Sequence, residues 1–251
     1  MDATPTAPVP EPSSLTDRLV NVITAPGEAF EEIKNTPVSV SNWLVPLVLV
    51  FVCTVIYVCV AFSQPDVLRT MDEQRAKQFQ KSVAAGKITQ AQADQAAAAT
   101  QNFLTPTVLK MFSAGFAGLG CAALLFLMAL ALWLALKWFT EAGIGYMKVV
   151  EAAGLALVIL VPQIIVRILL VVWKQNMLST LSPTLFLANP NASNKTDVLL
   201  SMFDVIDIWW LAILSLGLSK VANLRYPTAA VIVFVIWFGF RLIALALMPS
   251  G

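Results

Sequence analysis

Histidine is absent from the 251 residues, and charge is scarce: 12% of the chain is Asp, Glu, Lys or Arg, against roughly 25% in soluble domains. The first absence removes the commonest general base and the commonest metal ligand. The second suits a chain whose solvent is lipid, as do 58% hydrophobic residues and a mean hydropathy of +0.78. A formal net charge of +1 provides no basic field, which sets nucleic-acid binding aside.

Cysteine is thin as well. Cys53, Cys59 and Cys121 all fall in apolar runs. Cys53 and Cys59 stand about 9 Å apart along one helix axis, too far to bridge, so all three read as buried free thiols. The chain has no Walker loop, GxGxxG, HExxH, GxSxG or CxxC, and its carboxylates lack a base or ligand arrangement around them. The reading is a non-enzyme with no cofactor and no metal.

What is present is length and apolarity. Residues 1–14, with Pro5, Pro8, Pro10 and Pro12, read as a disordered tail rather than a signal peptide. Leu15, Leu19, Val22 and Ile23 fall on one helical face opposite Asp17, Arg18 and Asn21. A second short helix starts at Pro26 with Phe30 and Ile33 on its apolar side. Residues 15–42 are thus expected to be amphipathic helices in the membrane interface.

Spans are expected at about 43–62, 108–138, 147–173, 198–219 and 227–248, each long enough for a hydrocarbon core of roughly 30 Å. Between the first two, residues 66–103 are polar and Ala/Gln-rich, broken at Gly86 with Thr89 as an N-cap. They predict an extramembrane helical hairpin. Pro162 should kink the third span. The small-residue row Ala114, Gly118, Ala122 predicts a helix-packing face on the second. The fold class is therefore all-α: a five-helix transmembrane domain over 43–248.

Lysine and arginine in short loops set orientation. The tight turns bearing Lys137 with Lys148, and Lys220 with Arg225, lie on the side of the N-terminus, which places that end in the cytoplasm and the C-terminus outside.

Ionisable groups inside spans cost about 2.5 kcal/mol or more each unless they pair, reach water or snorkel. Topology brings the end of the third span, the start of the fourth and the end of the fifth to one face. Arg167, Asp204 and Arg241 then sit roughly 9 to 11 Å from their helix ends, with Asp207 three residues beyond Asp204 on the same face. Two carboxylates and two guanidiniums predict a neutral, bidentate network, either structural or lining a substrate or proton path. Glu151, about 24 Å from Arg167, cannot join it and is assigned Lys148 at i,i+3.

The layout resembles the YIP1 family, in its bacterial members. The residues that carry the likeness are the run from Arg18 to Ile33, the segment Asn42-Trp43-Leu44-Val45-Pro46-Leu47, the insert from Gly86 to Gln92 and the turn Gly145-Tyr146-Met147-Lys148, across residues 15–248. The resemblance implies five spans with a cytoplasmic N-terminus in a bacterial inner membrane. Eukaryotic relatives bind Rab GTPases in vesicle traffic, but their acidic and Gly-Pro motif has no counterpart here, so no contact residue is carried over. The leading functional reading is a scaffold or adaptor engaging the lipid bilayer and a membrane-protein partner, or itself. The rival is a transporter or an accessory subunit of an export complex.

Overall fold

A computed structural model describes residues 13–248, and within them every regular element is helical. In chain order these are α1 (Leu15–Thr24), α2 (Pro26–Asn35), α3 (Ser41–Ala61), α4 (Pro65–Ala84), α5 (Gln90–Phe103), α6 (Pro106–Phe139), α7 (Tyr146–Ala156), α8 (Leu160–Lys174), α9 (Lys195–Ser201), α10 (Val205–Val221) and α11 (Tyr226–Leu247). The Pro-rich segment 1–12 lies outside the described residues. Ser14, read above as the end of that tail, is the N-cap of α1 and accepts from the Asp17 amide at 3.2 Å.

Among the described residues, four helices are long and apolar enough to cross a membrane: Ser41–Ala61, Pro106–Phe139, Tyr146–Lys174 and Tyr226–Leu247. A fifth span exists if α9 and α10, bent 51° at their junction, count as one. α10 alone has 17 residues, or about 25 Å at 1.5 Å per residue, somewhat short of a hydrocarbon core. The third span carries a 3-10 turn at Leu157–Ile159. Pro162 explains it, since proline has no amide to donate to the Val158 carbonyl and its ring crowds that carbonyl.

α7 is the centre of the bundle: Val149, Val150, Glu151, Ala152, Leu155 and Ala156 are all fully buried. Its closest neighbour is α3. A Cβ on Gly154 would stand 2.2 Å from the Cβ of Trp43, so only glycine permits this approach. The small-residue face of α6 also turns toward α3. Gly118 lies against the Phe51 ring, which a Cβ there would meet at 2.8 Å, while Ala114 and Ala122 are half-buried.

The apolar side of the N-terminal pair is covered by protein. Val22, Ala29, Phe30 and Ile33 are buried, and the Phe30 ring fills the space beside Gly217 of α10, 2.7 Å from where a Cβ would sit. Only Val20 and Ile23 of α1 keep large apolar exposure. α4 and α5 form the hairpin. Gly86 turns the chain at φ +67°, and Thr89 and Gln92 make a reciprocal capping box, with bonds of 3.2 and 2.9 Å. The thiols correct an expectation: all three are free, but Cys59 is exposed and Cys53 and Cys121 only half-buried. Cys53 of α3 and Cys121 of α6 pack against the edge of the apolar core.

Candidate functional site

Two polar networks are set into this apolar bundle, one at each end of the α7–α8 span. The first surrounds Asp207. Its Oδ1 accepts from Gln163 Nε2 at 2.7 Å and its Oδ2 from Arg241 Nη2 at 3.0 Å, while Arg167 Nη2 stands 4.0 Å from the same oxygen. Arg167 Nη2 is also 3.7 Å from Asp204 Oδ2. At those distances Arg167 contributes charge attraction rather than hydrogen bonds. Both aspartates are buried, whereas the arginines keep about a third of their side chains exposed, at 32% and 31%.

All four residues marked in the sequence meet here, in a geometry that differs from the expectation. Asp204 lies in the break between α9 and α10 and caps α10, its Oδ1 accepting from the amides of Ile206 (2.9 Å) and Asp207 (3.4 Å). One carboxylate oxygen thus serves the helix end and the other faces Arg167. The bidentate forks are also absent, because each guanidinium meets the carboxylates through a single nitrogen. The Arg241 guanidinium carbon stands over the Trp237 ring, 4.7 Å from its centroid, a cation–π contact. Trp237 in turn packs edge-on against Trp210, with centroids 5.0 Å apart. Gln163 went unmarked in the sequence reading. Its signal was its place four residues before Arg167 on an otherwise apolar helix, which puts both side chains on one face.

The second network is built on Glu151, which is fully buried. Lys148 Nζ donates to its Oε2 at 2.6 Å, and Oε1 accepts from the Ser39 amide at 2.9 Å and Asn42 Nδ2 at 2.7 Å. Lys148 spends its other two protons on the carbonyls of Ile33 (2.6 Å) and Thr36 (2.9 Å), at the end of α2. Asn42 Oδ1 accepts from Arg18 Nη1 at 3.3 Å, and Arg18 grips Glu32 through Nε and Nη2, both at 3.0 Å. Ser13 closes the chain, donating to Glu32 from its amide (2.9 Å) and hydroxyl (2.5 Å).

One connected set of charges and amides thereby fastens α1 and α2 to α3 and α7. Sequence pairing found only its Lys148–Glu151 link. Burial raises the Glu32 pKa, but hydrogen bonds from Ser13 and Arg18 outweigh it and hold the carboxyl below its ordinary value. The Lys34 hydrogen bond chiefly lowers Glu31 as well, helped by Lys220 of α10 at 3.4 Å.

No group of three His, Cys, Asp or Glu side chains among the described residues is placed to hold a metal ion. Both networks pair charges in an apolar interior and join segments distant in sequence. Searches for similar curated proteins and for similar solved structures return no match. A scan against protein-family models matches the Yip1 domain over residues 20–248. That match takes in nearly the whole chain, including every span and both networks apart from Ser13 and Arg18, and the chain belongs to the Yip1-domain family of multi-pass membrane proteins.

Proposed function

We propose that this chain is a non-enzymatic membrane scaffold or adaptor with five spans, α9 and α10 together forming the fourth. Its N-terminus faces the cytoplasm of a bacterial inner membrane and its C-terminus the opposite side. The observation that carries the reading is the closure of its two buried acids, Glu151 and Asp207, by protein donors. Glu151 has hydrogen-bond donors on both oxygens, and Asp207 likewise. A carrier needs a charge that trades protein partners for cargo, whereas these are committed to holding segments in place.

Around this fixed bundle stands an extramembrane element with solvated faces. The α4–α5 hairpin is mostly exposed, with Arg69 paired to Asp66 at 3.0 Å on its surface. It is the surface for a membrane-protein partner or a second copy. The test is crosslinking in native membranes followed by affinity purification of the intact chain. A specific co-purifying protein should disappear when Arg69 and Arg75 are changed to Glu. Retention of every partner in that variant, or solute flux in proteoliposomes that stops with Asp207→Asn, sinks the scaffold reading. Orientation is tested separately with an impermeant thiol reagent on cysteine-free protein carrying Ser82→Cys or Glu141→Cys. The first should label from outside the cell and the second only after permeabilisation.

A further inference from the structure

The two buried acids are closed by protein donors, but the two arginines beside Asp207 are not closed by protein acceptors. Two guanidiniums hold ten N–H donors. Among the described residues they make one hydrogen bond between them, from Arg241 Nη2 to Asp207 Oδ2. Arg167 makes none: its Nε is buried without an acceptor, and its Nη2 stays 3.7 and 4.0 Å from the two aspartates. Lys148, in the other network, donates to three acceptors.

The aspartates have little left to give. Asp204 Oδ1 is taken by amides of α10 and Asp207 Oδ1 by Gln163. Both carboxylates are buried, while each arginine side chain is about a third exposed and so reaches the outside of the bundle. The exposed residues near them on the same helices are apolar, Ile165 and Leu169 in α8 and Leu242 and Ile243 in α11, as befits a surface that meets hydrocarbon. A guanidinium donor left unfilled in such surroundings costs free energy until water or an interfacial acceptor reaches it.

A short span brings headgroups close to this cluster. α10 has 17 residues, about 25 Å, and α9 bends away from it by 51°. With the exposed Lys220 at one interface, the break that holds Asp204 lies about 5 Å from the far edge of a core of roughly 30 Å. Local thinning of the bilayer, or the length of an arginine side chain, covers that distance. The two arginines also converge. Their Nη2 atoms stand 3.0 and 4.0 Å from the same oxygen, Asp207 Oδ2, and are therefore within 7 Å of one another. A phosphodiester, with two free oxygens each accepting at about 2.8 Å, bridges such a gap.

We infer that Arg167 and Arg241 form a binding site for the phosphodiester of one bilayer phospholipid. Its free oxygens accept from the donors that the aspartates leave unfilled, and its acyl chains run along the apolar outside of α8 and α11. Two arginines and two aspartates carry no net charge, so the site reads the phosphodiester by its acceptors rather than a headgroup by its charge. It requires α8 and α11 to lie in a bilayer and requires no protein partner, so it stands or falls apart from the scaffold reading.

The test is native mass spectrometry of the full chain in mixed micelles with phosphatidylcholine or the phosphate-free monogalactosyldiacylglycerol of the same chains. Phosphatidylcholine has no net charge and its choline donates no hydrogen bond, so only the phosphodiester favours it here. It should be retained about tenfold better than the galactolipid, the size expected of a hydrogen bond to a charged group. Arg167→Gln should remove that preference. Arg167→Lys keeps a cation beside Asp204 but loses the planar fork, and should weaken the preference without unfolding the protein. Arg69→Gln, on the hairpin, should leave it unchanged.

Wild-type protein with a phospholipid carrying a photoreactive group next to its phosphate supplies a readout independent of any variant. Crosslinks should map to residues 165–174, 203–208 and 238–245. Equal retention of the two lipids overturns the proposal, since water then fills the donors. So does a preference that survives both Arg167 variants, and so do crosslinks that map elsewhere. Displacement of the phospholipid by inorganic phosphate also overturns it, by making a free anion the occupant.

Discussion

The two buried networks solve the same problem with different geometry. At the Glu151 end every bond to the carboxylate is 2.9 Å or shorter and the acid has no exposure. The groups around it come from α2, α3, α7 and the linker before α3, elements far apart in sequence. At the Asp207 end the arginines are partly exposed, and Arg167 makes only charge contacts at 3.7 and 4.0 Å. A tight network stores its stabilisation in hydrogen bonds that cannot be remade with water. A loose one retains access to the interface and loses less when a member is removed. The first is therefore a lock holding the N-terminal helices down, and the second is a brace on the ends of three helices.

That contrast orders the expected effects of breaking each. Glu151→Ala leaves Lys148, Asn42 and the Ser39 amide without their acceptor, and should cost about 3 to 5 kcal/mol, the range for stranding one member of a buried pair. Unfolding in mixed micelles would measure it, and proteolysis should release residues 13–35 before the rest of the chain. Asp207→Ala should cost less, about 2 to 3 kcal/mol, because Arg241 keeps its cation–π contact with Trp237 and a path to the interface. A loss at Asp207 equal to that at Glu151 would erase the distinction.

Gly154→Ala tests packing without touching charge. Its new methyl would collide with Trp43 and force α3 from α7, at a cost of about 1 to 3 kcal/mol, read by the same unfolding assay. Arg167→Gln should be milder, about 1 kcal/mol, and a double-mutant cycle with Asp204→Asn should return a coupling of that size or smaller.

The smallest effect is set by pH. Glu32 is held below its ordinary value of 4.5, so its contribution is present above that value and is lost as pH falls through the lower folded value. Protection against hydrogen exchange in α1 and α2 should stay flat from neutral pH down to about 4.5 and fall only below it, and Arg18→Gln should shrink that fall by bringing the folded value of Glu32 closer to its ordinary one. A fall of undiminished size in Arg18→Gln would remove Glu32 as its cause.

Much of this was legible in the sequence because the signals are local. Uninterrupted apolar runs mark the helices, Pro162 marks the distorted turn before it, and Gly86 with Thr89 marks the hairpin turn. The charged set at Arg167, Asp204, Asp207 and Arg241 could be assembled from helix ends alone, since depth in a membrane is a one-dimensional coordinate readable by counting residues. The role of Asp204 was not legible. Whether a residue inside an apolar stretch continues a helix or caps a new one depends on the 51° bend between α9 and α10, which hydropathy does not record.

By itself the sequence determined that this chain is helical, apolar and multi-pass, because hydropathy and period need no partner to be read. Only the tertiary structure decided what covers the apolar faces of α1 and α2. Their pattern is the same whether lipid or protein is on the other side. The answer depends on Gly217 leaving room for Phe30, and on Glu151, more than a hundred residues away, receiving the amide of Ser39. The same holds for the lock itself. Lys148 and Glu151 announce a pair at i,i+3, but their further partners at Thr36, Ser39 and Asn42 are chosen by how the helices pack.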